Sequence, residues 1–324
     1  MRVSLITTVL NEEKMIGEFL NSVFNQTRLP DEIIIVDAAS TDSTVSIIQS
    51  SKYPLSSEAS KIQNYNLKFK VFIKPGNRAV GRNEAIKHAT GDIIVCTDGD
   101  CVLDKDWVKN IIKPFTDKKV DVVAGYYSAK PNSIFQKCLV PYVLVMEDKI
   151  NPHTFLPASR SMAFRKKVWD EVGGFPEDFS SNEDFVFANK IKRQDYNIVI
   201  AKDAVVYWRP RKNLKEAIIM FFQFAYGDME AGIIRLRVKI LFIRYFLGIF
   251  IFIFALFSRS FFVIEIIILS ITAYFIWSII KNYRYVKDIR ACYVLPMLQL
   301  SSDAAVISGT IGGGIKRWGT HKKQ

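Results

Sequence analysis

The chain has 324 residues, of which 49% are hydrophobic and 23% charged, and its formal net charge at pH 7 is +12. This length leaves room for one soluble domain of about 200 residues and a smaller appendage. The basic residues of the C-terminal third adjoin apolar and aromatic stretches. This pattern favours anionic lipid headgroups as partners and argues against nucleic acid.

Strands and helices alternate through the first third of the sequence. Short β-branched runs predict strands at residues 3–9, 32–36, 70–73 and 92–97. With helices between them, they predict βαβ units around a parallel sheet, whose ligands gather at the carboxyl ends of the strands. Asp37 and Asp98 follow two such ends. The pattern is more mixed later, with strands predicted at residues 120–125, 157–165 and 197–201.

The four cysteines show no CxxC spacing: Cys96, Cys101, Cys138 and Cys292. The first of them lies within a predicted apolar strand, where a thiol would be buried. The pattern therefore favours buried, reduced thiols over disulfides or zinc ligands.

Two carboxylates follow the predicted strand at residues 92–97, in the segment Asp98-Gly99-Asp100. Mg²⁺ and Mn²⁺ prefer oxygen ligands, usually one or two carboxylates completed by substrate phosphates, and such an ion neutralises a departing diphosphate. The glycine lets backbone and phosphate approach closely. An ordinary polar turn is the alternative. The segment Asp104-Lys105-Asp106 repeats the pattern, but Asp106 is better explained as the N-cap of the following helix.

Five motifs occur in one order along about residues 2–230. They are Asn11-Glu12-Glu13, Asp37-Ala38-Ala39-Ser40-Thr41-Asp42, Gly81-Arg82-Asn83, Asp98-Gly99-Asp100, and Gly173-Gly174-Phe175 followed by Glu183-Asp184. In this order they resemble the motifs of the family 2 inverting glycosyltransferases of GT-A fold. The resemblance implies a Rossmann-like α/β domain that binds a nucleotide sugar. Here it would be followed by interfacial and transmembrane helices.

The resemblance also implies roles for single residues. Contacts to the nucleotide or its diphosphate are implied for Asn11, Glu12, Asp37, Arg82, Asn83 and Asp98. The carboxylate of Asp37 would bind the base, and Asp98 and Asp100 would hold Mn²⁺ or Mg²⁺. Asp184 would remove the proton of the acceptor hydroxyl, with Glu183 beside it as a support or an acceptor ligand. Alternatively, these two acids only cap the helix predicted at residues 185–191.

Two further arginines, Arg209 and Arg211, follow the last predicted strand. Guanidinium groups match phosphate oxygens, which suits a clamp on a diphosphate. Contact with a membrane surface is an equal alternative.

The chain departs from the family pattern at several positions. Leu10 stands where the family usually has an aromatic residue and Ala38 where it has a second acid, so the identity of the base stays open. The QxxRW motif of processive synthases is absent. Residues 223–227 instead resemble the Q-x-x-YG stretch of succinoglycan-type exopolysaccharide transferases, which favours addition of a single sugar.

Residues 239–280 form two nearly continuous apolar runs separated by Ser258-Arg259-Ser260. Each run has roughly the 20 residues that cross a bilayer core of about 30 Å. Basic residues flank the pair: Arg235, Arg237, Lys239 and Arg244 before it, and Lys281, Arg284, Lys287 and Arg290 after it. This is the positive-inside pattern of a hairpin with both ends in the cytoplasm. The first apolar stretch ends early at Asn11-Glu12-Glu13, which argues against a signal peptide and predicts a cytoplasmic catalytic domain in the cell membrane.

The segments around this hairpin are less apolar. Residues 213–239 interleave apolar and basic side chains, as helices in the membrane interface do. Residues 291–314 contain Pro296, Asp303 and three consecutive glycines, and we expect a re-entrant or surface-lying segment there. Glu265 should face another helix or a polar path, since a charge within a span costs about 3 kcal/mol. Residues 50–60, rich in serine, predict a surface loop.

These patterns predict four parts: a catalytic domain at residues 1–207, interfacial helices at 208–238, membrane segments at 239–314 and a basic tail at 315–324. The expected function is metal-dependent, inverting transfer of one sugar from a UDP- or GDP-sugar to a lipid-linked saccharide at the cytoplasmic membrane face. One alternative is a polyprenyl-phosphate sugar synthase, whose phosphate acceptor needs no base. Another is a membrane module that binds nucleotide or polysaccharide without catalysis.

Overall fold

The computed structural model describes residues 1–51, 67–179, 181–258 and 260–321. The chain forms two compact units, the first made of Met1–Lys130 and Glu147–Arg209, the second of Pro131–Met146 and Pro210–Gln324. The predicted linear division of the chain does not anticipate that residues 131–146 join the C-terminal helices. Most of the predicted serine-rich loop, Arg259 of the predicted break and the last three residues of the predicted basic tail lie outside the described residues.

The elements of the first unit are mostly short. Its strands are β1 Val3–Val9, β2 Glu32–Asp37, β3 Lys68–Ile73, β4 Ile93–Cys96, β5 Cys101–Leu103, β6 Val122–Ala129, β7 Met162–Arg165 and β8 Ile198–Trp208. Its α-helices are α1 Ile16–Phe24, α2 Thr44–Ser51, α3 Arg78–His88, α4 Trp107–Ile112, α6 Lys166–Val172 and α7 Glu183–Arg193. Two short 3₁₀-helices lie at Lys113–Thr116 and Glu147–Lys149. The helices of the second unit are α5 Ile134–Val143, α8 Leu214–Glu230, α9 Leu236–Ser258, α10 Phe261–Val286 and α11 Ala291–His321.

One eight-stranded sheet organises the first unit, in the order β3-β2-β1-β4-β7-β6-β8-β5. The four strands from β3 to β4 are parallel, as predicted, while β7 is antiparallel to both of its neighbours. Strands β1, β2 and β4 are almost wholly buried, which explains their near-continuous apolar sequences. The chain runs outward from β1 to β3 and then returns to the other side of β1 at β4. Ligands of such sheets bind where the strand order reverses, beyond the carboxyl ends of β1 and β4.

The cysteines agree in part with the prediction. All four are free thiols, and Cys96, Cys101 and Cys138 are buried, but Cys292 is exposed. Among the described residues, no group of three or more His, Cys, Asp or Glu side chains is placed to hold a metal ion by itself.

Helices α8 and α11 of the second unit pack closely through two glycines of α11. A Cβ atom on Gly309 would collide with the carbonyl oxygen of Phe222, and one on Gly313 with that of Tyr226. Small residues four apart allow two helix backbones to approach in this way. Helix α8 therefore has a helix partner along one face, while some of its other apolar side chains, Ile219 among them, are exposed.

Three helices of the second unit are long and apolar enough to cross a membrane: Leu236–Ser258, Phe261–Val286 and Ala291–Gly319. The interruption expected in the third segment is not present, because α11 is continuous from Ala291 to His321. Pro296 removes a hydrogen bond only near the start of this helix. The glycines are held in the helix by their contact with α8.

The acid buried among these helices is Asp303 of α11 and not Glu265. The carboxylate of Asp303 accepts hydrogen bonds from Arg244, from the hydroxyl of Tyr274 at 2.7 Å and from the amide of Gln299 at 2.8 Å. Glu265 is exposed, against the expectation that it faces another helix. It lies in the second turn of α10, near the end of the apolar run, where a carboxylate reaches water at low cost.

Candidate active site

The loops after β1 and β2 are joined into one polar rim. The backbone N–H of Asn11, in a left-handed conformation (φ 55°), donates to the hydroxyl of Ser40 at 2.8 Å, and its side-chain oxygen accepts from the N–H of Thr41 at 2.9 Å. The N–H of Glu12 donates to the hydroxyl of Thr44 at 2.7 Å. Both predicted nucleotide loops therefore lie at the same sheet edge. Their contact to a nucleotide stays a prediction.

The carboxylate of Asp37 is bound within its own loop, and its contact with a base stays a prediction. Its side chain is fully buried, and its two oxygens accept hydrogen bonds from Ser40, one from the N–H at 2.8 Å and one from the hydroxyl at 2.5 Å. A carboxylate used in this way shapes the loop after β2. It has no exposed oxygen to offer to a base.

Arg82 on α3 connects two acidic segments in the interior. Its side chain is 1% exposed; one terminal nitrogen donates to Asp98 Oδ1 at 2.8 Å and the other to Glu183. The guanidinium carbon lies 5.6 Å from the ring centroid of Phe175. Burial and these partners give Arg82 a role in positioning carboxylates, and its contact with the donor diphosphate stays a prediction.

Asn83 is also turned inward. Its oxygen accepts from the indole N–H of Trp169 and the N–H of Phe175, both at 2.9 Å, and its amide nitrogen donates to the Phe175 carbonyl and to Glu177 at 2.8 Å. These bonds hold the Gly173-Gly174-Phe175 turn, whose two glycines have φ 81° and 72°. These bonds give Asn83 a structural role, and its contact with the donor stays a prediction.

The acidic turn Asp98-Gly99-Asp100 lies between β4 and β5. A Cβ on Gly99 would lie 2.6 Å from a methyl carbon of Val9, so only glycine fits against the end of β1. Burial opposes ionisation of Asp98, but the charges of Arg82 and Arg160 outweigh it and hold the pKa of Asp98 below its ordinary value. Among the described residues, Asp100 accepts a weak hydrogen bond from the Cys101 thiol, at 3.6 Å.

The two carboxylates of this turn fit a Mg²⁺ or Mn²⁺ site that substrate phosphates complete. Asp98 has one oxygen engaged by Arg82, whereas no arginine nitrogen is hydrogen-bonded to Asp100. Of the two predicted ligands, Asp100 is therefore the one with oxygens less committed to the protein. Both remain candidates, since a carboxylate can bind an arginine and a metal through different oxygens.

A turn at residues 158–161, just before β7, contributes two residues that the sequence analysis missed. The predicted strand at residues 157–165 is in fact this turn followed by the four-residue β7. The backbone N–H of Ser159 donates to Asp184 Oδ2 at 3.2 Å, and its hydroxyl to the same oxygen at 3.4 Å. Arg160 places its Nε 3.7 Å from Asp98 Oδ2. A lone serine and arginine in a strand-like run give no pattern from which these contacts could be read.

Glu183 and Asp184 occupy the first turn of α7. Glu183 is 4% exposed and bonded to Arg82, which favours a supporting role over contact with an acceptor. Asp184 is half-buried, with its second oxygen accepting from the N–H of Phe185 at 2.8 Å. Burial, and then the charge of Glu183, raise the pKa of Asp184 above its ordinary value. A carboxylate with a raised pKa, held from two sides, suits proton transfer.

The predicted arginine clamp is not formed by the described contacts. Arg209 donates to both carboxylate oxygens of Glu18 at 2.8 and 2.9 Å, and both side chains are exposed. Such a surface pair contributes at most about 1 kcal/mol and does not prevent phosphate binding. Arg211 belongs to the second unit and is exposed. The clamp stays a prediction.

Comparison with known protein families gives two overlapping matches. Residues 4–172, more than half of the chain, match the model of Glycosyl transferase family 2. Residues 93–287 match the model of Glycosyl transferase family group 2. The first match includes the polar rim, the acidic turn and the residue 158–161 turn.

Several characterised proteins are similar to the chain. The O-antigen chain rhamnosyltransferase RfbN of Salmonella typhimurium is 28% identical over 219 residues, which are 64% of this chain and 66% of that protein. The poly(ribitol-phosphate) beta-N-acetylglucosaminyltransferase TarS of Staphylococcus aureus is 26% identical, over 65% of this chain and 36% of that protein. The matched region thus spans less than two thirds of either relative.

One solved structure, the mannosyltransferase PcManGT from Pyrobaculum calidifontis in complex with GDP-Man and Mn²⁺, shares the fold. It superposes with a TM-score of 0.52 at 23% sequence identity, over 71% of this chain and 64% of that chain. The likeness supports the same α/β architecture for the first unit.

Replacing the buried guanidinium tests its role as the centre of the site. We expect Arg82→Met to lower the free energy of unfolding of the first unit by about 3–5 kcal/mol, because two carboxylates lose their buried partner. Amide hydrogen exchange in β4 and α7 measures this loss. Arg193→Met, which removes an exposed arginine at the end of α7, is the control and should change stability by no more than about 0.5 kcal/mol. Equal protection in the two variants would contradict the assignment.

Proposed function

Because this chain is a member of glycosyltransferase family 2, we propose that it transfers one sugar, with inversion, from a nucleotide sugar to a lipid-linked saccharide. The family match confirms the resemblance drawn from the five motifs. The observation that carries the proposal is one site in which Arg82 joins the acidic turn to Glu183, the neighbour of the half-buried Asp184. The names of the relatives, an O-antigen chain rhamnosyltransferase and a poly(ribitol-phosphate) transferase, support a saccharide acceptor.

The donor in this proposal is a UDP- or GDP-sugar. The rim formed by the loops after β1 and β2 supports a nucleotide site at the point where the strand order reverses. Asp98 and Asp100 would hold Mn²⁺ or Mg²⁺, which supplies neutralisation of the charge on the departing diphosphate. The GDP-Man and Mn²⁺ bound to the mannosyltransferase of the same fold support both suggestions.

Asp184 is the proposed base. An acceptor hydroxyl has a pKa far above 7, so its oxygen needs to lose a proton as it attacks the anomeric carbon. The bond from that carbon to the diphosphate breaks, the nucleoside diphosphate departs, and the proton passes to the carboxylate of Asp184. Ser159 and the N–H of Phe185 hold this carboxylate in one orientation. The reaction needs Asp184 ionised beforehand. Because its pKa is raised, this ionisation needs a higher pH than that of an ordinary aspartate.

Membrane attachment supports the lipid-linked acceptor. Helices α9 and α10 are joined by a short connection and form an apolar hairpin whose basic flanking residues place both ends at the cytoplasmic face in our proposal. The headgroup and sugar of a lipid-linked acceptor lie at that same level. An enzyme that acts on them gains from a hairpin that holds it at the surface.

We propose further that α11 lies along the membrane surface and does not cross. Its first residue, Ala291, follows the end of α10 after the four residues 287–290. Near its other end, Lys316 is ion-paired with Glu230 at 2.5 Å, and only residues 231–235 separate Glu230 from the start of α9. Helix α11 is about 46 Å long. Both of its ends are thus connected to the end of the hairpin where α9 begins and α10 ends. A helix that crossed beside the hairpin would carry Lys316 away from that end.

The transfer reaction is tested with radiolabelled UDP- and GDP-sugars and a lipid extract of the native cells. We expect label to enter the butanol-soluble lipid fraction, and Asp184→Asn to slow transfer by about 10²–10⁴-fold while nucleoside diphosphate binding is kept. The wild-type rate should fall as the pH drops through the pKa of Asp184, and this fall should begin at a higher pH than for an ordinary aspartate because that pKa is raised. Asp178→Asn, an exposed neighbour, is the control. Full activity of Asp184→Asn would point to a phosphate acceptor that needs no base.

The metal ligands are tested by direct binding. We expect Asp100→Asn to weaken Mn²⁺ binding, measured by electron paramagnetic resonance of free Mn²⁺ in the presence of UDP or GDP, by at least about tenfold, because one of few protein ligands is lost. Asp106→Asn in the neighbouring D-x-D match is the control and should bind Mn²⁺ normally. Unchanged binding by Asp100→Asn would remove this residue from the site.

The placement of α11 is tested by labelling single cysteines in oriented vesicles with an impermeant maleimide. In a Cys292→Ser background, Gly319→Cys should react from the same side as Lys109→Cys in the first unit. Ser260→Cys, in the hairpin connection, should react from the opposite side. If Gly319→Cys reacts with Ser260→Cys instead, α11 crosses the membrane.

A further inference from the structure

Arg160 is held in an unusual setting within the first unit. Its guanidinium carbon lies 5.5 Å from the ring centroid of Tyr127 and 5.6 Å from that of Trp208. The side chain is 23% exposed, so one part of the group still reaches solvent. Contacts of this kind hold a guanidinium in place through cation–π attraction while using none of its N–H donors.

The donors of Arg160 are uncommitted in the part of the chain that the structure describes. Its Nε is buried and has no hydrogen-bond partner there. The nearest acid, Asp98, has its Oδ2 at 3.7 Å from this nitrogen, a distance that gives charge attraction but no hydrogen bond. The Nε of Arg82 is also buried without a partner there, but both terminal nitrogens of Arg82 are bonded to carboxylates. The Nε of Arg160 is closed to solvent, so a ligand oxygen would reach Arg160 at the terminal nitrogens of its partly exposed side chain.

The position of Arg160 determines which ligand this would be. The Nε of Arg160 lies 3.7 Å from Oδ2 of Asp98 in the acidic turn. Burial lowers the pKa of the guanidinium, but the charges of Asp98 and Asp100 contribute to raising it above its ordinary value. A diphosphate bound at this turn would bring oxygens close to the free donors. The planar guanidinium matches two phosphate oxygens at once, which a lysine cannot do.

We propose that Arg160 binds the diphosphate of the nucleotide donor, an inference that rests on the proposed function. In this role the two guanidinium groups beside Asp98 divide their tasks. Arg82 holds the carboxylates from the interior, and Arg160 offers its donors to the substrate. Arg160 remains protonated throughout, so it stabilises the charge that builds on the leaving diphosphate without giving up a proton.

The inference is tested by calorimetric binding of UDP and GDP to the full chain, with Mn²⁺ and again in EDTA. We expect Arg160→Gln to weaken nucleoside diphosphate binding by at least about tenfold in both conditions, with only partial recovery in Arg160→Lys. Binding of uridine or guanosine, which lack phosphate, should not change. Arg193→Gln, which removes an exposed charge, is the matched control and should bind all ligands like the wild type.

Three outcomes would overturn the inference, and they differ in what they leave standing. A loss seen with Mn²⁺ but not in EDTA would mean that Arg160 only positions Asp98. Normal nucleotide binding with a raised KM for the lipid-linked acceptor would assign the phosphate contact to the acceptor. If the wild-type chain binds neither UDP nor GDP in either condition, the proposed function itself fails. Circular dichroism of Arg160→Gln establishes that its fold is kept.

Discussion

One buried guanidinium connects the parts of the candidate site. Arg82 is brought into the interior because Gly81 has no side chain, since a Cβ there would collide with Thr8 of β1. Helix α3 therefore lies close to the sheet, and Arg82 reaches the acidic turn after β4 and the first turn of α7. Asn83 then fixes the glycine turn that precedes α7. Gly81 thus allows the close approach to β1, Arg82 forms the two ion pairs, and Asn83 holds the glycine turn.

A buried ion pair of this kind gains little stability by itself, because removing the charges from water costs about as much as their attraction returns. Its effect is to restrict geometry. Arg82 can bond to Asp98 and Glu183 together only if β4 and α7 are correctly placed. The same constraint positions Asp184, which follows Glu183 in α7. The preorganised arrangement of charges is what a transfer reaction requires before its substrates arrive.

The sequence was informative about where the site residues lie in the fold and much less informative about which way their side chains point. Strand ends were predicted well, because buried β-branched runs are local, and they placed Asp37 and Asp98 at the correct sheet edge. A motif does not say which way a side chain points, and Asp37 and Asn83 turn into the protein. Ser159 and Arg160 escaped prediction because their contacts join residues distant in the sequence. No single-sequence pattern records such a contact.

The same limit applies to the helices of the second unit. Length and composition allow α11 to cross a membrane, yet its glycines pack on α8 and its ends are tied to the open end of the hairpin. The helix is continuous through Pro296 and the three glycines, because partner helices stabilise a helix that its own propensities do not favour. Contacts between helices also explain why Asp303 can be buried, since four side chains donate hydrogen bonds to its carboxylate.

Charge interactions connect the acidic turn after β4 with the carboxylates at the start of α7. The charges of Glu183 and Asp98 both raise the pKa of Asp184, after the effect of burial, while Arg82 lowers it. Asp98 in turn stays ionised because two guanidinium groups face it. The proton affinity of the proposed base thus depends on the charge state of the turn proposed to receive the donor.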